Sequence, residues 1–409
     1  MKIRLVDYVG NPGGGMRFAG ETLKAFARSG LPVDFEVISY DAAATRYRNV
    51  ISRLEVNWLV TEIEPDGYRY NRLPPNILGV RGTWRLSQML FRGYATKWCY
   101  DVPERAFRDC DLVWFPWAHQ HRMPASCDAK CVVGTFMDAH YFTFPDILKP
   151  PFVAQERSSV AAWMGSKAEI AAISRTTAQA LSEIFAVPLE RFTVVPLAFD
   201  HAHDWPSVRP RAEWNWVSRP YLVYPANPTI HKNHELLFKA VASWGFKLPL
   251  VLIGTGLQGR PTGRAAVLRR VAEGDGFRLG KSLISLGHVE NDVNSPVIAN
   301  AWAVVFPSLS EGYGLVILEA LSRGLPVITT RNTGGPEVME DGRQGFFVPI
   351  RSSEAIAEKL ETLAADRALL EAMSEAALER ARECTWEKYR RSLVSKLGIA
   401  ESNKEVLNP

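Results

Sequence analysis

The stretch Phe306-Pro-Ser-Leu-Ser-Glu-Gly-Tyr-Gly-Leu-Val-Ile-Leu-Glu319 holds the residue types best suited to chemistry. An apolar strand closes at Phe306, Glu311 lies in the loop that follows, and a helix begins near Gly314 with Glu319 inside it. Glycines such as Gly312 and Gly314 let a backbone approach a ligand closely, and a helix start offers free N–H groups and a positive dipole end. That combination suits a diphosphate. Sugar hydroxyls are donors, and a carboxylate accepts them in pairs. Glu311 and Glu319, with seven residues between them, can therefore grip two sugar rings on either side of the phosphates. On spacing alone they read equally well as a solvated loop charge and an exposed helix charge.

Such a loop needs a strand behind it and a helix ahead of it, and the chain repeats that unit throughout. Ile3–Val9, Val33–Ser39, Asn57–Val60, Leu112–Phe115, Val132–Phe136, Ile170–Ser174 and Phe192–Val195 read as short strands. A helical period runs from Phe18 to Ala27. The segment His201–Pro220, rich in Trp, Pro and Arg and without a period, reads as a linker. A second series follows at Tyr221–Tyr224, Leu250–Ile253, Ser282–Leu286, Ala303–Phe306, Pro326–Thr330 and Gly345–Val348, with helices at Glu235–Ser243 and Gly314–Ser322. Ser353–Cys384 reads as a long helical region and Trp386–Lys396 as a last amphipathic helix. Nearly continuous apolar strands alternating with helices specify an α/β fold with parallel sheets covered on both faces. Two such halves predict a cleft between domains, where open parallel sheets bind ligands beyond their strand ends.

Bulk properties narrow the field. A chain of 409 residues suits two or three domains. Its 48 basic and 44 acidic side chains leave a net charge of +4, too little for a nucleic-acid coat. Hydrophobic residues at 47% and charged residues at 22% exclude a disordered chain. No apolar run reaches the roughly 18 residues of a membrane span, and the opening Met-Lys-Ile-Arg-Leu-Val reads as a strand rather than a signal peptide. Five irregularly spaced cysteines form no disulfide framework, which fits a reducing, cytoplasmic setting. His119, His121, Cys127 and Cys131 are the densest metal-type cluster, but the second knuckle of a zinc site is missing, so no metal is expected.

The basic excess is concentrated. Between Gly67 and Tyr100 no acidic residue occurs, while Arg69, Arg72, Arg81, Arg85, Arg92 and Lys97 alternate with Tyr68, Tyr70, Trp84, Phe91, Tyr94, Trp98 and Tyr100. A helix over 81–98 with one basic and one aromatic face suits the anionic inner leaflet of a membrane. A core helix with a solvated basic face reads the same pattern equally well. Single-stranded nucleic acid also suits this composition, but nothing else in the chain supports it.

The segment Glu311–Glu319 resembles the E-x(7)-E signature of the large family of retaining, nucleotide-sugar-dependent glycosyltransferases, family 4, with the GT-B fold. Ala320-Leu-Ser-Arg-Gly-Leu-Pro-Val-Ile-Thr-Thr-Arg-Asn-Thr-Gly-Gly-Pro-Glu337 resembles that family's continuation. Tyr224-Pro-Ala-Asn-Pro-Thr-Ile-His-Lys-Asn-His234 resembles its subgroup with an H-K-N phosphate lysine, and Ile253-Gly-Thr-Gly256 its short glycine turn. Ile173–Thr177, Val194–Asp200 and Gly13-Gly-Gly-Met-Arg17 are similar to its other landmarks, so the resemblance spans nearly the whole chain.

That resemblance implies two Rossmann-like domains facing across a cleft. An acceptor domain would cover 1–199 and a nucleotide-sugar domain 200–384, with a final helix in 385–409 crossing back to the first. It implies that Glu319 holds the nucleotide ribose, that Glu311 meets the donor sugar, and that the backbone of Gly312, Gly314 and Leu315 supports sugar and phosphate. Lys232 would neutralise the diphosphate leaving group. The family's usual preceding arginine is replaced by Ala226 and Asn227, so more rests on that lysine. Gly254, in the short glycine turn, would be a further donor-binding residue, and His288 and Val289 fall where the nucleobase is held. Gly13, Gly14 and Gly15 would approach a phosphate or an acceptor, though they also suit a plain tight turn.

Thr135–Phe142 resembles the family's H-D segment with Met137 in place of histidine and Asp138 retained. Asp138 or His140 would then orient the acceptor hydroxyl, with His119 and Arg17 as further acceptor-side candidates. The implied reaction is hexose transfer with retention, without a protein nucleophile or a required metal. The implied acceptor is a glycan or lipid-linked hydroxyl in bacterial surface polysaccharide or lipopolysaccharide synthesis, at a cytoplasmic or peripheral inner-membrane location. A nucleotide-sugar epimerase, a glycosyl phosphorylase and a non-catalytic nucleotide-sugar-binding subunit are the alternatives.

Overall fold

The computed structural model describes residues 2–10, 14–27, 34–53, 58–65, 99–122, 131–144, 150–199, 219–289 and 296–396. The chain divides into two compact units, one formed by 1–173, 178–195 and 390–409, the other by 174–177 and 196–389.

The first unit is built on seven strands: β1 (Lys2–Val6), β2 (Asp34–Ser39), β3 (Leu59–Glu62), β5 (Leu112–Phe115), β7 (Cys131–Phe136), β8 (Glu169–Ala172) and β9 (Phe192–Val194). They lie in the order β3-β2-β1-β5-β7-β8-β9, and every pairing is parallel. Two short strands, β4 (Tyr100–Asp101) and β6 (His121–Arg122), pair separately. The central strands carry buried apolar side chains in both directions, as a parallel sheet covered on both faces requires; all four residues of β5 are buried. Gly134 in β7 has a steric reason, because a Cβ there would lie 2.6 Å from the Trp163 ring.

The second unit has six parallel strands: β10 (Leu222–Pro225), β11 (Leu250–Ile253), β12 (Leu283–Ser285), β13 (Ala303–Phe306), β14 (Val327–Thr330) and β15 (Gly345–Val348). Their order is β12-β11-β10-β13-β14-β15. The chain winds one way from β10 to β12, then returns to β10's other side with β13. Leu222 and Val223 pair with Ala303 and Val304 there. This reversal matters because the loops leaving β10 and β13 depart in opposite directions and open a crevice beyond the strand ends.

Several elements differ from the sequence reading. β1 stops at Val6 rather than Val9, because the Asp7 carboxylate turns back to accept the Val9 and Gly10 amides at 2.8 and 3.2 Å. The first helix is Gly14–Ala27 and not Phe18–Ala27, so Gly14 and Gly15 are helical residues rather than a loop cradle. The long region after Ser353 is two helices, Ser353–Ala365 and Arg367–Ala381, parted by Asp366, whose side chain caps the second by accepting from Leu369 N at 2.9 Å. The linker at 201–218, Gly13 and the basic aromatic stretch 81–98 lie outside the described residues. No helix among the described residues is long and apolar enough to cross a membrane.

Candidate active site

In the second unit the crevice between β10 and β13 is where the charged residues meet. Lys232 follows β10 in a short turn, Ile230–Lys232, and Glu311 follows β13. They are 79 residues apart in sequence, yet Lys232 Nζ lies 2.5 Å from Glu311 Oε1, with side chains only 15% and 14% exposed. The turn is fastened from several sides. The Tyr224 hydroxyl donates to the Lys232 carbonyl, and Leu309 N donates to His231 O at 2.7 Å. Asn233, in the left-handed region at φ 57°, donates its side-chain amide to Pro307 O and Ile350 O, each at 3.2 Å. The lysine head sits 5.2 Å from the Phe306 ring centroid.

Burial works against a charge on Glu311, but the Lys232 ammonium and neighbouring His231 outweigh it and hold the carboxyl below its ordinary value. The site is therefore a buried, ionised pair at the mouth of the sheet. Sequence reasoning took the H-K-N run for its lysine alone. Asn233, which ties the turn to the β13 loop, has no chemical signature of its own.

Past Glu311 the loop turns at Gly314, with φ 83°, into the helix Leu315–Leu321. A Cβ on Gly314 would meet Ile317 Cδ1 at 3.1 Å, so both the conformation and the space favour glycine. Gly312 is buried and Leu315 half-buried. Glu319 lies one turn further along, five residues past Gly314, a rise of about 7 Å. Glu319 is 7% exposed and lies 3.7 Å from the Arg323 guanidinium, which also donates to the Glu319 carbonyl at 3.0 Å. A buried carboxylate on a sheet-covering helix is costly unless charge balances it, and Arg323 supplies the balance.

The other candidate residues of this unit lie on adjacent strand ends. Gly254, at φ 84°, brings the β11 loop so close to the β10 loop that a Cβ would lie 3.1 Å from the Ala226 carbonyl. Gly254 N donates to Gly287 O at 2.6 Å, beside exposed His288 and half-buried Val289. Thr255 ties the same loops together, its hydroxyl donating to Ala226 O at 2.6 Å and meeting His234 Nε2 at 2.9 Å. Burial, with Arg264, Lys232 and His231 nearby, brings His234 down to about 3, so this ring is neutral.

The first unit holds the remaining candidates. Asp138 Oδ1 lies 2.5 Å from His140 Nδ1 at the end of β7, both side chains largely buried. His119 is 2% exposed and its Nε2 accepts the Met137 amide at 3.0 Å, while Nδ1 faces the buried Glu156 carboxylate at 3.3 Å. Nε2 thus helps to shape the backbone that carries Asp138, while Nδ1 faces the carboxylate without a hydrogen bond. His121 is similarly committed, accepting from Tyr8 N at 2.9 Å and meeting Trp117 O at 2.6 Å. Burial lowers its affinity for a proton despite nearby Asp7. Of the metal-type cluster, Cys127 lies outside the described residues, and the two histidines point to protein partners. No group of three or more metal-type ligands occurs among the described residues. Arg17 is half-buried in the helix Gly14–Ala27.

Residues 210–380 match the family model "Glycosyl transferases group 1". The capsular polysaccharide biosynthesis glycosyltransferase CapM of Staphylococcus aureus is 32% identical over 142 residues, covering 34% of this chain and 34% of CapM. The chain thus matches about a third of that relative's length. Among solved structures, HepE of Anabaena in complex with UDP and glucose has a TM-score of 0.69 at 17% identity, covering 97% of this chain and 99% of HepE. WaaG, a glycosyltransferase involved in lipopolysaccharide biosynthesis, has a TM-score of 0.64 at 17% identity, covering 97% of this chain and 99% of WaaG.

Proposed function

We propose that this chain, which has the GT-B fold and matches the glycosyl transferases group 1 model over residues 210–380, moves a hexose from a nucleoside-diphosphate sugar to an acceptor hydroxyl with retention at the anomeric carbon. The observation that carries this reading is the buried Lys232–Glu311 pair at the β10/β13 crevice, with Gly314 and Glu319 following on one helix. A lysine desolvated by its surroundings is worth most where negative charge develops. In this reaction that place is the departing diphosphate. When the donor enters, Lys232 turns from Glu311 toward the phosphates, and Glu311 is released to accept sugar hydroxyls. Glu319 accepts the ribose hydroxyls. His288 and Val289 line the base, with Gly254 as a further donor-binding residue.

The bond from the anomeric carbon to the phosphate oxygen breaks, and the bond to the acceptor oxygen forms on the same face. The acceptor's proton passes to the leaving phosphate oxygen. Asp138 and His140 orient the acceptor hydroxyl, whereas His119 supports them through the backbone. Lys232 and the loop amides carry the charge, so the reaction runs without a divalent cation. CapM and WaaG are described in capsule and lipopolysaccharide synthesis, which supports a surface glycan or lipid-linked acceptor.

The test is transfer from UDP-, GDP- and dTDP-hexoses with product stereochemistry read by NMR. Retention with one donor, lost in Lys232→Met, is the expected result. Inversion, or isomerisation of the nucleotide sugar without acceptor, would overturn the proposal.

A further inference from the structure

We infer that Thr177, held in place by Ser174 and Glu337, is a positioning residue for the loop between Glu311 and the helix Leu315–Leu321. The inference rests on the donor site proposed above and concerns residues that the reaction itself does not use. Ser174 and Thr177 are 0% and 2% exposed. The Ser174 hydroxyl accepts from Thr177 N at 2.8 Å and donates to Thr177 Oγ1 at 2.9 Å. The Thr177 hydroxyl in turn donates to Gly312 O, 3.3 Å away and 135 residues distant in sequence. These hydroxyls link Ser174 to the donor loop.

Glu337 fastens the start of that link. Its carboxylate accepts from Arg175 N at 3.0 Å, Thr176 N at 3.1 Å and the Thr176 hydroxyl at 3.4 Å. Its own carbonyl is held by Arg380 at 2.9 Å. Tyr313, next in the loop, donates its hydroxyl to Leu197 O at 2.9 Å. The loop is therefore pinned on one side by two buried hydroxyls. In a trans peptide the carbonyl and the following N–H point in opposite directions. A Gly312 carbonyl turned toward Thr177 thus sends the Tyr313 N–H the other way. Among the described residues, no amide of Gly312, Tyr313, Gly314 or Leu315 donates to a protein acceptor. Thr177 fixes the orientation of donors that the protein leaves for something else.

The experiment compares wild type, Thr177→Val, Thr177→Ser, Glu337→Gln and Glu319→Ala. Binding of UDP, GDP, dTDP and ADP is measured by calorimetry, and donor KM and kcat for the nucleotide that wild type prefers. Thr177→Val keeps the volume and loses the hydroxyl, so binding of the preferred nucleotide weakens about tenfold and donor KM rises in step. Thr177→Ser recovers most of that loss, which a packing role would not produce. Glu337→Gln, which keeps one acceptor oxygen, weakens binding about threefold, and it decides the matter if Thr177→Val does not fold. Wild-type affinity in Thr177→Val, or in Glu337→Gln where that variant decides, overturns the inference while leaving the donor site intact, since Glu319→Ala still loses nucleotide. Absence of nucleotide binding by wild type overturns the donor site and this inference together.

Discussion

Replacing Lys232 with methionine removes the ammonium while keeping a side chain of similar length. Glu311 then remains largely buried, with His231 as its remaining nearby positive group. Deleting one partner of a buried ion pair costs about 3–5 kcal/mol. The pair here is about 15% exposed, so solvent screening brings the cost below that range, to about 2–3 kcal/mol. For a unit of this size each kcal/mol moves the midpoint by about 2–4 °C, giving a loss of about 5–10 °C at pH 7.

The pH dependence gives a second signature. In wild type the Glu311 carboxyl is held below its ordinary value of 4.5. Its contribution is complete above that value and fades as pH falls through the lower folded value. In Lys232→Met, burial dominates and raises the carboxyl, so this variant gains relative stability as pH drops from 7 to 5. Differential scanning calorimetry of the second unit's transition across pH 4–8 measures both effects. The double variant Lys232→Met/Glu311→Gln should recover most of the stability and none of the activity. A single variant with wild-type midpoint and wild-type pH slope would refute the reasoning, because the pair would then carry neither charge nor burial.

Two further outcomes follow from the same geometry. Gly334→Ala places a Cβ 2.5 Å from the Tyr313 carbonyl oxygen and 2.6 Å from its Cα; we expect about 2–3 kcal/mol of destabilisation from overpacking, read in urea melts, together with a raised donor KM. His119→Ala strips the Met137 amide of its acceptor, so about 1–3 kcal/mol of stability should be lost, whereas His140→Gln should lower turnover with a smaller change in midpoint. Equal melting losses in those two histidine variants would contradict the separate roles given to them.

The parallel α/β character of both units is legible because buried parallel strands need apolar residues on both faces. Leu112–Phe115, Leu250–Ile253, Ala303–Phe306 and Gly345–Val348 read at their observed bounds for that reason. Where a side chain bonds its own backbone, the pattern misleads. Val6-Asp7-Tyr8-Val9 looks like strand to its end, but Asp7 folds onto the amides after it and stops β1 early. Asp366 breaks a long helical pattern by capping the next helix, a signal present in the sequence that its helical period outweighed. Gly14 and Gly15 show the opposite case. Their intrinsic cost in a helix, about 1 kcal/mol each, is overridden.

Of the proposed donor-side residues, Glu311, Gly314 and Glu319 are suggested by type and spacing, whereas Lys232 is suggested only by the resemblance of its H-K-N run. The supports are suggested by neither. Thr177, Asn233 and Glu337 act through long-range hydrogen bonds to Gly312, Pro307 and Arg175, and no local period marks such contacts. His119 has the right type for an acceptor-side base, but only the fold reveals that its Nε2 already accepts the Met137 amide.

The central claim is that Glu319, Glu311 and Lys232 form a nucleotide-sugar site that needs no metal. Thermal-shift binding of wild type and Glu319→Ala against UDP, GDP, dTDP and ADP, with and without EDTA, tests it most directly. The account predicts a shift with one of the four nucleotides in wild type, unchanged by EDTA and largely abolished in Glu319→Ala. A shift that vanishes with EDTA, that survives Glu319→Ala, or that no nucleotide produces would contradict it.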